Sequence, residues 1–371
     1  MIIFGLIPKI ERNMKYLIVQ DWGTTHGNHA GMVHMSKLLS QKYPDEYKVI
    51  IKDCPLNFPV IERKQGFIKR FLTHRLLRKV YEKYIYPLEY KELCKPMFRE
   101  LKDGDEVLLL EYLLSGQSQY ELAMYIKSNF PNVRLYALSH QTVSYFKTND
   151  SANEIMKWAN PIDKMLTLGS SLSNFFEEIG IPKAKICTGF HYVDSDYYHK
   201  GNTEFAALNN PITIIAMGSQ QRDYPLLAKV VSETLSVHWI ICRGNNLVDD
   251  LFPHSKNIEL KGFLSEDELR HQMDRADVSI NIMSDTVGSN VITTSMAMGL
   301  AMIVSDVGSI RDYCNEDNAI FCSNEADSFI KAINELKDSQ ERVLVMRKNS
   351  LKTSKRLHIE NVHKWFNSLS E

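Results

Sequence analysis

Short apolar runs alternate with longer amphipathic stretches along most of this chain. Residues 15–20, 49–51, 107–110, 134–138 and 165–168 read as buried strands. Helical patterns lie between them, such as 118–129 ahead of Pro131 and the stretch that carries Met32, Met35, Leu38 and Leu39. The rhythm restarts with strands at 212–217, 238–242, 258–261, 278–282 and 302–304 and a helix at 226–235. Uniformly apolar strands alternating with helices predict α/β architecture with parallel, doubly wound sheets. The polar segment 199–210 reads as a linker between two such halves. The expected organisation is a domain over 1–195, a second over 205–345, and a helical segment 346–371 that packs back on the first, with Trp365 and Phe366 as apolar anchors. The first strand begins only at Lys15, so 1–13 reads as an extension and Met14 as the start of the fold.

The most informative stretch is 286–309. A strand precedes it, the small-residue loop Gly288-Ser289-Asn290 opens a helix that stops at Gly299, and a second strand follows. This βαβ pattern places a helix N-terminus at the carboxyl end of the sheet, where unpaired backbone N–H groups and the helix dipole favour a phosphate. A phosphate-bearing ligand is expected there.

Composition narrows the classes. With 371 residues, 44% hydrophobic and 24% charged, the chain is that of a globular protein long enough for two domains. A net charge of −1 gives no global basis for nucleic-acid binding. The six cysteines form no CxxC pair and read as reduced thiols, and His26 and His29 lack metal-ligand spacing, so no metal site is expected. No apolar run reaches the length of a spanning helix, and a cytoplasmic protein is expected. The block 63–83 departs from the average, with eight Lys or Arg and one acid interleaved with apolar residues. Its apolar clusters fall on nearly opposite faces, which fits two short helices better than one. Lys69, Arg70, Arg75, Arg78 and Lys79 would meet an anionic membrane surface or an acceptor, the bland alternative being a solvated helix. GxSxG, HExxH, GxxxxGK[ST] and a GxGxxG after the first strand are all missing, so a dehydrogenase reading has only the generic rhythm behind it.

Several phrases then carry a resemblance: HGNHAGMVHMSKLL (26–39), SHQ (139–141), LTLGSSLSNFFEEIGIPKAKI (166–186), GFHYVDSDYY (189–198), IIAMGSQQRDYPLL (214–227), LKGFLSEDELRHQMDRADVSINI (260–282) and TSMAMGLAMIVSDVGSIRDY (294–313). In this order they resemble the group 1, family 4-like glycosyltransferases of the GT-B fold, with two Rossmann-like doubly wound domains facing across a cleft. The resemblance implies a retaining, metal-independent, hexosyltransferase-like enzyme with a nucleotide-diphosphate sugar as donor and no other cofactor. It implies a glycan or lipid-linked acceptor and a part in cell-surface polysaccharide or glycoconjugate synthesis. With the basic block, peripheral attachment to the inner face of the membrane is expected.

Residue by residue, Arg222 matches the family's diphosphate-binding lysine, and Ser219 stands where its companion arginine falls. His140 matches the histidine near the transferred sugar. Gly27 matches the second glycine of the glycine loop, and the amides of Gly288, Ser289, Asn290 and Val291 would face the phosphates. The family's two glutamates eight residues apart are replaced by Thr286 and Thr294, and neither threonine supplies a charge. Asp285, one residue earlier, could reach the sugar in their place, and Asp312 stands where the family has a glutamate. The missing carboxylates keep two rivals open: a catalytically silent GT-B binding or scaffold protein, and a nucleotide-sugar epimerase or hydrolase on the same fold.

Overall fold

The computed structural model describes residues 13–21, 27–53, 84–113, 119–200 and 208–370. The basic block and its five candidate cations lie outside the described residues. The chain divides into two compact units, one of residues 1–26, 36–138 and 158–165, the other of 27–35, 139–157 and 166–371.

Strands β1 (Lys15–Asp21), β2 (Tyr47–Asp53), β3 (Glu106–Leu109), β4 (Arg134–Ser139), β5 (Lys164–Thr167) and β6 (Ile186–Thr188) form a sheet of order β2-β1-β3-β4-β5-β6. Where the register is defined it is parallel, with Lys15 opposite both Tyr47 and Glu106. The interior of β1 is apolar (Leu17, Ile18 and Val19 are fully buried), and the polar Gln20 donates from Nε2 to the Tyr90 hydroxyl at 2.7 Å.

The second sheet holds β7 (Thr213–Met217), β8 (His238–Cys242), β9 (Ile258–Lys261), β10 (Val278–Asn281), β11 (Ala301–Ser305) and β12 (Ala319–Cys322) in the order β12-β11-β10-β7-β8-β9. All its registers are parallel. Both faces are covered, which is why its strands read as unbroken apolar runs. Ile214, Ala216, Trp239 and Ile280 pack toward the helices Tyr224–Glu233 and Ala326–Asp338, while Ile215, Met217, Ile240 and Met302 pack toward Met296, Met298 and Ile292. The strand order reverses between β7 and β10. That reversal is the switch point at which open α/β sheets leave a crevice beyond their carboxyl ends.

The C-terminal segment is tied to this sheet by a buried charge. Arg347, in the helix Gln340–Ser354, donates to the Gly299 carbonyl at 3.1 Å and lies 3.5 Å from Asp277. The last helix, Ile359–Asn367, sets the Trp365 indole against Gly189 and donates from it to the Cys187 sulfur at 3.4 Å. Among the described residues no helix is long and apolar enough to cross a membrane.

Candidate functional site

The loops that leave β7 and β10 meet at the switch point. Arg222 and Met283 form an isolated antiparallel bridge, Asp223 N donates to Ile282 O at 3.3 Å, and Ser284 N donates to Gln221 O at 3.0 Å. Gly218 holds φ +90°, and a Cβ there would sit 3.0 Å from Arg222 Nη2 and 3.1 Å from Val291 Cγ2. Glycine is thus what lets the guanidinium lie against the first turn of the helix Asn290–Ala297. Arg222 Nε and Nη1 are shielded from solvent and have no hydrogen-bond partner among the described residues. Burial pulls the guanidinium down to about 10, with the Tyr224 phenol opposing, so it remains a cation at neutral pH. The space beneath the loop is only about 10 Å³, lined by Arg222, Tyr224 and Leu227, no more than one water's room.

The helix beside it begins as its sequence predicts. Ser289 caps it, its hydroxyl accepting from Ile292 N at 3.4 Å, and Gly299 (φ +62°) ends it. Asn290 Oδ1 is also buried with no partner among the described residues. Gly288, at φ +94°, lies against Tyr313, whose phenol carbons would be 2.3 Å from a Cβ. The Tyr313 hydroxyl accepts from His191 N at 2.7 Å and donates to Leu168 O.

The side chains at the replaced glutamate positions turn inward. The Thr286 hydroxyl accepts from Gly288 N at 3.1 Å, and the Thr294 hydroxyl donates to Asn290 O at 2.6 Å. Asp285 has both oxygens engaged by backbone: Oδ1 accepts from Thr286 N at 2.7 Å and Oδ2 from Ser144 N at 2.9 Å, in the first turn of the helix Val143–Asn149. Asp312 does the same for the helix Ser170–Glu178, accepting from Ser170 N at 2.6 Å and Ser170 Oγ at 2.9 Å. The two acids act here as remote helix caps.

His140 follows β4, with burial lowering its pKa to about 4; His191 is likewise lowered to about 4 by burial, with the charge of His140 adding to the effect. Both imidazoles are neutral at physiological pH, able to exchange a hydrogen bond but not to supply a proton from a cation. Ser219 is exposed beside Arg222, and Gly27 takes φ +80° with open space around it. The structure thus brings Arg222 together with Val291 and the helix start. Gly218, His191 and Tyr313 are additions to the sequence-derived set. Gly218 has a signal in the sequence, a glycine directly after a strand; the other two have no local signal.

Two six-stranded parallel sheets, one reversing at a loop–helix phosphate geometry, define a GT-B-type α/β protein. Residues 214–339 match the family described as glycosyl transferases group 1. No curated protein sequence matches the chain. Among solved structures, Anabaena HepE in complex with UDP is 12% identical, with 96% of this chain and 100% of that chain covered and a TM-score of 0.63. Sucrose-phosphate synthase from Thermosynechococcus elongatus is 12% identical over 96% of this chain and 98% of that one, TM-score 0.67. A glycosyltransferase from Rickettsia africae is 14% identical over 96% and 99%, TM-score 0.63. At such identities the likeness is one of fold.

Proposed function

We propose that the chain is a retaining glycosyltransferase that moves a sugar from a nucleotide-diphosphate donor to a glycan or lipid-linked acceptor, in cell-surface polysaccharide or glycoconjugate synthesis. The observation that carries the reading is the Arg222 guanidinium beside the first turn of the Asn290–Ala297 helix, its Nε and Nη1 shielded and without a partner among the described residues, inside the matched region. Cleaving the donor's sugar–phosphate bond leaves negative charge on the departing diphosphate. A guanidinium offers charge-assisted bonds to that oxygen, and the helix start adds amide donors and the positive end of its dipole. With those groups the leaving charge is met without invoking a metal or a further cofactor. That HepE is solved with UDP and with UDP-glucose supports a uridine nucleotide as the first donor to try.

In this reading His140 meets the sugar as a neutral hydrogen-bonding group, and Asp285 positions the 143–149 helix rather than touching substrate. Ser219 and Gly27 line the phosphate side. The acceptor binds chiefly the N-terminal half, and Lys69, Arg70, Arg75, Arg78 and Lys79 hold an anionic membrane surface. Sedimentation with anionic vesicles at low salt tests that attachment, and no pelleting removes it.

One observation favours a catalytically silent binding protein instead. Thr286 and Thr294 close on their own backbone, and both oxygens of Asp285 are taken. Calorimetric titration with UDP, GDP and ADP separates the readings. The transferase reading expects one clear binder, weakened by Arg222→Ala, and sugar transfer when a donor and acceptor are supplied. Absence of any binder sinks it in favour of the silent protein.

A further inference from the structure

Two histidines five residues apart and an aspartate some 160 residues further along the chain converge on one point of the second unit. His29 Nδ1 lies 2.7 Å and His34 Nε2 2.9 Å from the same atom, Oδ2 of Asp194. The two imidazole centroids are 4.4 Å apart, and the three donor atoms all fall within 4.8 Å of one another. The arrangement is braced from outside. Asp194 Oδ1 accepts from the backbone of Asp196 at 3.1 Å and Tyr197 at 3.3 Å, which fixes the carboxylate plane. Glu266 accepts from His29 N at 2.8 Å and Ala30 N at 3.0 Å, which fixes the loop that carries His29, while His34 stands in the helix Met32–Lys42 that follows. The His29 ring stacks on Tyr197 at 3.8 Å. Burial raises the Asp194 carboxyl, but the bonds from His34 and His29 outweigh it and hold the group well below the usual carboxylate range.

We propose that His29, His34 and Asp194 form a binding site for one divalent first-row transition metal, tested first with Zn²⁺. Two imidazole nitrogens and a carboxylate oxygen are a borderline-soft donor set that suits zinc and leaves a fourth position for water. Neighbouring donors around a tetrahedral ion with bonds of about 2.0–2.1 Å stand about 3.3 Å apart. The two donor separations here need to open by only a few tenths of an ångström. The backbone bonds to Asp194 Oδ1 supply the outer-shell orientation such sites use. A second observation points to the open position. Tyr192 is 2% exposed, yet its hydroxyl has no hydrogen-bond partner among the described residues. Its ring lies 6.5 Å from that of His34. A metal-bound water at the fourth position is the partner that this phenol lacks. The ion would staple the 27–35 segment, which begins at Gly27, to the loop that carries Asp194. Mg²⁺ is expected to bind poorly, because it demands six hard, mostly oxygen ligands.

The test uses the untagged full-length chain, stripped with chelator, titrated with Zn²⁺ by calorimetry and assayed for metal by mass spectrometry, with Co²⁺ absorption as a spectroscopic check. The expected result is one equivalent of Zn²⁺, about 100-fold weaker binding in His29→Ala and in His34→Ala, and no competition from millimolar Mg²⁺. Tetrahedral Co²⁺ bands should appear in the parent and vanish in both variants, while circular dichroism stays that of the parent. Should Asp194→Asn not fold, the two histidine variants decide alone. Less than stoichiometric zinc, or equal uptake by the His29→Ala/His34→Ala double variant, overturns the assignment.

Discussion

Two arginines in the same unit answer burial in opposite ways. Arg347, under the C-terminal helices, is 1% exposed and paired: it sits 3.5 Å from Asp277 and donates to the Gly299 carbonyl. Arg222, in the loop after β7, has Nε and Nη1 shielded and unpartnered among the described residues. Burying a charge without a counter-charge costs several kcal/mol, so proteins seldom keep one unless a ligand completes it. Arg347 is completed by the fold and belongs to stability. Arg222 lacks such a completion for Nε and Nη1 among the described residues, which is the basis for proposing it as a binding group.

The first way to break this contrast is to remove Arg347. Arg347→Ala leaves Asp277 buried without its cation and empties a large fully buried volume, so stability should fall by about 3–5 kcal/mol. Urea unfolding measures it. Loss below about 1 kcal/mol would mean the pair contributes nothing net.

Histidines show a third answer to burial, which is neutrality. His140 and His191 are held near 4 against an ordinary value of 6.5. Between those values the unfolded chain binds more protons than the folded one, so stability rises with pH there. The contribution is complete above about pH 6.5 and is lost as pH falls toward 4, by an amount on the order of 3 kcal/mol for each histidine. Unfolding measured from pH 7.5 to 4.5 should show this slope, and replacing both histidines by glutamine should flatten it. An unchanged slope would return the acid sensitivity to other groups.

Arg222→Ala should reverse the Arg347 pattern. With no intramolecular partner for Nε or Nη1, its loss should cost under about 1 kcal/mol of stability. Losing charge-assisted bonds to a diphosphate should cost about 1.5–3 kcal/mol of binding, roughly 10- to 100-fold in the affinity for the nucleotide. Arg222→Lys should recover part of it, keeping the charge but losing the fork. A stability loss equal to that of Arg347→Ala would erase the distinction between the two arginines.

The apolar strands and the start of the helix after Gly288–Asn290 are legible in the sequence; what depends on distance along the chain is not. The runs at His238–Cys242 and Ile258–Lys261 coincide with β8 and β9, and the Gly288–Asn290 loop opens its helix where the pattern predicts. Strand Ile186–Thr188 has three residues, too few to carry a pattern, and Ala319–Cys322 is a four-residue apolar run bounded by Asn318 and Ser323, too short to stand out as a strand. The use of Asp285 as a cap for the 143–149 helix is equally illegible, since Ser144 lies 141 residues away. His29 and Asp194 are separated by 165 residues, so no spacing rule could join them.

The smallest expected effect falls on the threonine in the second glutamate position. The Thr294 hydroxyl donates to the Asn290 carbonyl four residues back, a bond of the kind that relieves a helix's own backbone rather than recruiting a ligand. Thr294→Val keeps the shape and removes the donor, leaving that carbonyl to its helical partner. Stability should change by about 1 kcal/mol or less, and nucleotide affinity should stay within about twofold. Calorimetry on the variant bears directly on how the site is read. A tenfold loss of affinity would show that the hydroxyl leaves its helix to meet the nucleotide. The threonine would then serve the ribose as a weaker acceptor where the family uses a glutamate, joining Arg222 and Asn290 as side chains of this loop–helix pair open to a ligand.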